Sequence, residues 1–289
     1  MNNRIVFTLK DNQGNLREQS EKAFIKKDNL RLQEKNDTSM KVYIGEPDVQ
    51  IDDVYINLFN KSASNIIIAC ESDNLGVRIM ISSIISLIRQ LPDSKFYSFN
   101  FLSNNTELTN YIDELNSIAN ATIREVKAIE TINILQSIKD EIENRKSNPT
   151  SEKIFVSIIS FQTAYSFRKQ EYENSVAGKL LEYILKEGSL VGVFCLLMVD
   201  SIQSFSKNLS NNLLDEFSLR IVGQIDSQSS ASILYSPYSF LGSRDGNELG
   251  ENRALFCDCK KNKLIKFIPY ELPNLSWVGQ FLRTNSPLS

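Results

Sequence analysis

The run "NIIIACESDNLGVRIMISSIISLI" (65–88) joins an apolar stretch to a helical one through a short polar loop, a frame in which backbone N–H groups and a helix N-terminus can face a phosphate. In a working loop of this kind a Lys reaches the terminal phosphates and a Ser or Thr holds magnesium. Here the frame is kept and the side chains are not. Gly76 opens the helix, but Val77 and Arg78 stand where Lys and Ser/Thr belong, and Ala69 or Cys70 stands near the place of the first glycine. Ser72, Asn74 and Leu75 complete the loop, and Glu71 and Asp73 add carboxylates to a place that should attract anions. Two such charges repel a triphosphate by several kcal/mol at low effective dielectric, with Arg78 offsetting part of that. ATP and magnesium binding are therefore disfavoured. Taken alone, the loop reads more simply as an ordinary strand–loop–helix turn.

A second run, "KIFVSIISFQTAYSFRK" (153–169), is a buried strand whose end is the place for an acid that orients magnesium. Ser160 and Phe161 stand there instead, so nothing is evident to hold the metal or polarise a water. An active site with its lysine supplied from elsewhere would have to use a distant residue such as Lys169 or Lys179. The chain has no histidine, which removes the usual general base from any Ser or Cys nucleophile and the commonest partner from a zinc site. The four cysteines (Cys70, Cys195, Cys257, Cys259) make no disulfide framework in a chain of 289 residues, and all four read as small buried hydrophobes.

These runs need a scaffold, and the pattern of the chain supplies one. Hydrophobic residues at 42% and charged residues at 23% are those of a globular protein, and the length suits one large α/β domain. Short apolar runs alternate with helical ones, the signature of βαβ units and a mostly parallel sheet. Strands are expected at 41–45, 65–69, 95–99, 122–126, 153–160, 191–199 and 219–224, several apolar on both faces as central strands should be. Helices are expected at 75–90, 107–118, 129–146, 172–187 and 228–235. A two-stranded element, "RALFCDC" with "KLIKFIPY", and a last helix bearing Trp277 close the chain. Residues 1–40 read as a polar arm with a short helix around "NLREQSEKAFIKK" and a first strand at "RIVF", as though cut just upstream of a domain.

The net charge of -3 does not mark a stand-alone nucleic-acid clamp, and the lysines at 26–27 and 260–266 read as solvated faces. The longest apolar run, "VGVFCLLMV", is well short of the roughly 18 to 20 residues of a membrane span. With no signal peptide at the N-terminus, a cytoplasmic protein is expected.

The order of three late patterns is more specific than any one of them. An "EGSLVG" helix-to-strand turn (187–192), an "RIVGQIDSQSS" strand-to-helix turn (220–230) and an "LGENRALF" strand (249–256) follow in sequence. This order resembles the motor domain of FtsK/SpoIIIE-type DNA translocases. It is closer still to the degenerate last domain of long FtsK-like bacterial ATP-binding proteins, in which a "W-L-G-E-P" type strand leads into a degenerate phosphate loop as "YIGEP" (43–47) does here.

The resemblance covers roughly residues 41–285, and it implies a degenerate RecA-like P-loop fold over 41–289 with a small C-terminal hairpin and final helix. Under it Gly76 marks the phosphate loop, Ser160 the lost Walker B acid, and Asp200 a polar sensor position. Arg220, Asp226 and Ser227 match the translocase strand and turn, and Gly250 matches the late glycine. Gln228 and Arg253 depart from the pattern and put any trans-acting arginine role in doubt. Read by themselves, Arg220 can pair with Asp215 or Glu216, Asp226 can cap a helix and Gly250 can make a turn.

What the resemblance implies is a non-hydrolysing domain, assembled with other subunits or domains of a larger, oligomeric ATPase that handles DNA. The alternative is a peptide-binding module, for which the apolar Leu75, Val77 and Phe161 near the old pocket speak.

Overall fold

The computed structural model describes residues 39–47, 54–171, 173–234, 249–250 and 252–283, with the backbone of two short strands before them. Those two, β1 (Thr8–Lys10) and β2 (Leu16–Glu18), pair antiparallel. The expected short helix therefore gives way to a strand at 16–18, its remainder lying outside the described residues, as does "RIVF".

The main sheet has ten strands. Six are parallel, in the order β10 (Leu219–Val222), β5 (Ile66–Ala69), β9 (Val193–Val199), β8 (Ile154–Ile159), β6 (Lys95–Asn100) and β7 (Ile123–Glu125). Four more extend it antiparallel beyond β10, namely β11 (Ala254–Asp258), β12 (Lys263–Pro269), β3 (Met40–Pro47) and β4 (Val54–Leu58). Every residue of β5, β8, β9 and β10 is buried, as strands covered on both faces must be. β3 and β4 instead alternate buried and half-buried positions, the mark of a sheet with one wetter face. The C-terminal hairpin is thus no separate element. Its strands are built into the main sheet by pairing with β10 on one side and β3 on the other.

Helix α1 (Asp73–Gln90) follows β5 and buries fourteen of its eighteen residues. Such an all-round apolar helix has to lie inside the molecule, and α1 packs against strands from β8 on one side to β3 on the other. Towards β3 it does more than pack. Gln90 and Ser86 exchange hydrogen bonds with the backbone of Lys41 and Tyr43, including Tyr43 N–H to Ser86 Oγ at 3.1 Å. They satisfy the stretch of β3 that β12, paired only with Gly45–Pro47, does not reach.

The remaining helices are α2 (Thr106–Ile118), α3 (Thr131–Ser147), α4 (Val176–Glu187), α5 (Ile202–Asn208), α6 (Ser227–Leu234) and α7 (Leu275–Arg283). Helix α4 starts later than its apolar pattern suggests because the Ser175 hydroxyl takes the Gly178 N–H at 3.0 Å and fixes the cap there. β5 leaves through α1 to β6, and so crosses over β9 and β8. The carboxyl ends of β5, β9 and β10 meet at this topological switch, where open α/β sheets hold ligands.

Candidate functional site

Only Cys70, Glu71 and Ser72 separate the end of β5 from the first residue of α1. Their backbone is already committed: Cys70 N–H donates to Val199 O at 3.0 Å and Glu71 N–H to Gln224 O at 3.2 Å. Ala69 O accepts from Gly223 N–H at 2.9 Å, so the turn is stitched to β9 on one side and β10 on the other. Ser72 caps the helix, its hydroxyl accepting from Leu75 N–H at 3.3 Å and its carbonyl from Gly76 N–H at 3.0 Å. Residues 73–76, which a phosphate loop would keep open, are the first turn of the helix instead.

Gly76 is small for a reason other than phosphate. A Cβ built there would lie 2.6 Å from Met198 Cε and 3.1 Å from Cys70 Sγ. Gly223 lies against the same cysteine, its Cβ position being 2.6 Å from Cys70 Cβ. The Cys70 side chain therefore fills the space between two glycines. Burial, with Asp73 and Asp200 adding to it, pushes its thiol up to about 12. Asp73 is itself raised, by burial first and then by Asp200. The turn from β5 to α1 is filled by a thiol and faced by two mutually repelling carboxylates, Asp73 and Asp200.

Arg78 does not offset them. Two residues past Gly76 is about 200° around a helix, and its buried guanidinium points to the antiparallel wing. Nε donates to Tyr270 O at 3.0 Å, Nη2 to Pro269 O at 2.9 Å and Nη1 to Asn252 Oδ1 at 3.3 Å. Glu271 Oε1 lies 2.8 Å from Nη2 as an ionic contact off the hydrogen-bond axis. The residue expected to stand in place of a magnesium-holding hydroxyl is a cross-tie.

At the end of β8, Ser160 is buried in the left-handed conformation (φ 56°, ψ 56°) and its hydroxyl has no partner among the described residues. Its carbonyl accepts from Thr163 N–H at 3.0 Å. Phe161 is wholly buried, with ring centroids 5.2 Å from Phe167 and 6.3 Å from Phe205. Phe101 and Phe217 continue this string at either end. An aromatic knot thus stands where the resemblance implies an acid. Leu75, Val77 and Phe161 all belong to the core, so none is the exposed rim residue that a peptide would meet.

The β9 and β10 turns are wired together beside the closed loop. Ser201 Oγ donates to Asp200 Oδ1 at 2.8 Å and caps α5. Asp226 caps α6, taking Ser229 N–H on Oδ1 at 2.9 Å and the Ser229 hydroxyl on Oδ2 at 2.5 Å. Ser229 Oγ in turn accepts from Ile202 N–H at 2.8 Å. Burial works to raise the Asp226 carboxyl, but these bonds, with others from Gln203 and Gln228, hold it below its ordinary value. Ser227, the first residue of α6, is exposed.

Arg220 is not part of this edge. Its buried guanidinium donates to Phe217 O, Ile233 O and Leu214 O, each at 2.8 Å, with Asp215 at 3.8 Å. Gly250 turns the chain with φ +80°. Gly223, Met198, Gln203 and Ser229 close the site and escaped the sequence reading. Of these, only the Asp226-x-x-Ser229 spacing carried a signal, that of a capping residue and its N3 partner.

No protein-family model matches the sequence, and no curated protein matches it. Solved structures do. The pCW3 conjugation coupling protein TcpA, in a monomer form with ATPγS, superposes with a TM-score of 0.61 at 16% identity over 94% of this chain and 78% of its own. The fold is that of the FtsK/SpoIIIE-type P-loop ATPases. The same FtsK-like fold is shared by EssC (ATPases 2 and 3) from Geobacillus thermodenitrificans, with a TM-score of 0.58 at 16% identity. It is shared too by Thermomonospora curvata EccC (ATPases 2 and 3) in complex with a signal sequence peptide, with a TM-score of 0.55 at 12% identity. This chain is covered to 86% in both comparisons and spans about half of each, 49% and 47%. Among the described residues no helix is long and apolar enough to cross a membrane.

Proposed function

We propose that this chain is a non-hydrolysing FtsK-like domain that works as a structural member of a larger, oligomeric ATPase, in the cytoplasm, with nucleotide turnover carried by other domains. The observation that carries the reading is the start of α1 at Asp73, which turns the phosphate loop into helix and seats Cys70 where the anion would lie. The missing acid at Ser160 supports it from the other side of the site. Handling of DNA by such an assembly rests on the translocase-like order of motifs. The acidic edge formed by Glu71, Asp73, Asp200 and Asp226 is a poor surface for phosphates and assigns any DNA contact to other parts of the assembly.

Titration of the full chain with magnesium-ATP by calorimetry tests this, with phosphate release measured in the presence and absence of DNA. No saturable heat and no turnover are expected. Saturable binding that ADP competes away, with turnover that DNA stimulates, would overturn it.

A second reading, capture of an extended peptide, is favoured by one observation. Tyr165 and Val176 are 77% and 62% exposed, and the Ser175 Oγ to Ser166 O bond, 2.9 Å, brings their two segments together. The signal-peptide complex of the similar EccC points the same way. Under this reading a Tyr165→Ser, Val176→Ser chain loses a peptide partner that the parent retains in a pull-down. Equal capture by both would count against it.

A further inference from the structure

The opposite edge of the sheet carries a second feature, independent of the nucleotide question. There β11 ends in Cys257-Asp258, level with the start of β10 because Asp258 pairs with Leu219, and Cys259 follows directly. Alternate residues of a strand share a face, and the two sulphurs lie 3.7 Å apart. Cys257 is 4% exposed, whereas Cys259 is partly open to solvent. The other two cysteines, Cys70 and Cys195, are buried singly.

Cys257 belongs to the buried core, and Cys259 packs against it from its partly open side. Cys257 stands opposite Arg220 in the ladder. The carboxylate of Asp258 is turned into the β11–β12 turn, accepting Lys261 N–H at 3.1 Å and lying 3.5 Å from Lys261 Nζ. Cys259 is tied to its neighbours by its N–H to Ser218 O at 2.8 Å, at a point where β11 has ended, so its side chain can turn without breaking a continuous ladder.

We propose that Cys257 and Cys259 form a peroxide-reactive thiol pair, Cys259 attacking and Cys257 resolving. The Cys259 thiolate attacks one oxygen of hydrogen peroxide. The O–O bond breaks, hydroxide leaves and takes up a proton as water, and Cys259 carries a sulfenic acid. The Cys257 sulphur then attacks Cys259 Sγ, expelling that oxygen as a second water with the Cys257 proton. Two thiols and one peroxide give one disulfide and two waters, the thiols losing two electrons to the peroxide.

Closing 3.7 Å to a bond of about 2.0 Å brings Cys259, which lies past the end of β11, onto its neighbour. The hydrogen-bonding contact with the Cys257 sulphur, with Arg220 assisting and burial, Asp258 and Asp215 opposing, lowers the Cys259 thiol from its ordinary value, the direction that favours an attacking thiolate. Cys257 is raised by that same bond and by burial, as suits the thiol that waits. The turn that Cys259 leads into holds Lys260 against Ser62 O and Lys261 Nζ over the Phe59 ring at 5.6 Å, so bond formation also pulls on the link between β4 and β5.

The test treats the full chain with stoichiometric hydrogen peroxide, counts free thiols after denaturation and maps the products by peptide mass. The expected result is loss of two of the four thiols, two hydrogen masses lost from the peptide holding both residues, and full recovery with dithiothreitol. In Cys257→Ser, a 1,3-dione should trap sulfenic acid at Cys259. In Cys259→Ser, reactivity should fall to that of Cys70 and Cys195. Circular dichroism of each variant establishes that it is folded. Four surviving thiols in the parent, a trap on Cys257 in place of Cys259, or disulfides only between chains would each overturn the proposal.

Discussion

The parallel and antiparallel halves of the sheet are bound to helix α1 by different forces. Across the parallel half, α1 lays Val77, Met80, Ile81, Ile84 and Ile85 into a fully buried, apolar interior. Towards the wing of β11, β12, β3 and β4 it offers Arg78, Ser86 and Gln90, which bind backbone groups of strands brought in from both ends of the chain. The apolar half is held by close packing, with Gly76 lying against Met198 and Cys70. The polar half requires each donor to meet its carbonyl. A phosphate loop needs its helix to begin late and its lysine free, and a helix fastened at both ends supplies neither.

Breaking the polar half should have the largest effect. Arg78→Met leaves Pro269 O, Tyr270 O and Glu271 without their buried partner, and loss of one member of a buried ion pair costs about 3–5 kcal/mol. The denaturation midpoint should fall accordingly, and amide exchange should quicken first in 263–269 while 193–199 stays protected. Equal loss of protection in both would show that the halves are not separately held.

Gly223→Ala probes the apolar side. The added methyl meets Cys70 Cβ, which cannot swing away, and overpacking of this kind costs about 1–3 kcal/mol. An urea titration should show the loss in midpoint with an unchanged slope. A neutral outcome would mean that the space around Cys70 is looser than the geometry gives.

Ser160→Gly should act in the other direction. It relieves a left-handed conformation on a residue with a side chain and removes a buried hydroxyl without a partner, a gain of about 1 kcal/mol. Such a gain, read from thermal unfolding, would mark Ser160 as strained without a metal to hold. A loss would point to a role for the hydroxyl.

The smallest effect is electrostatic. Asp73 has its folded value raised above 3.8, so the unfolded chain ionises first as pH rises and stability is lost from about that pH up through the folded value. Asp73→Asn removes this loss. The variant should match the parent near pH 3 and exceed it at pH 7, and parallel curves across that range would dismiss the repulsion between Asp73 and Asp200.

The parallel half was legible because its strands are continuous apolar runs and its helices have clear stripes. β4 was missed because "VYINL" alternates and is too short to stand apart from its surroundings. α5 was missed because "IQSFSKN" offers only two turns of pattern. That Val77 and Arg78 depart from a phosphate-loop pattern is legible in the sequence, but what these side chains do in the fold is not. The close fit of Cys70, Gly76, Gly223 and Met198 depends on strands 130 residues and more apart meeting at one edge. The direction of Arg78 depends on where α1 begins, and Ser72 as its cap was read only as part of a loop.

The strand order also bears on how the chain is made. β3 finds its inner neighbour β12 only after residues 263–269 have emerged, more than two hundred residues later. The parallel strands can be complete once β10 has left the ribosome. Until then β12 is absent from Gly45–Pro47, while Ser86 and Gln90 can already hold Lys41 and Tyr43. Helix α1 thus secures the part of an early hairpin that its late partner never reaches, and a chain truncated before β12 should leave that hairpin resting on α1 alone.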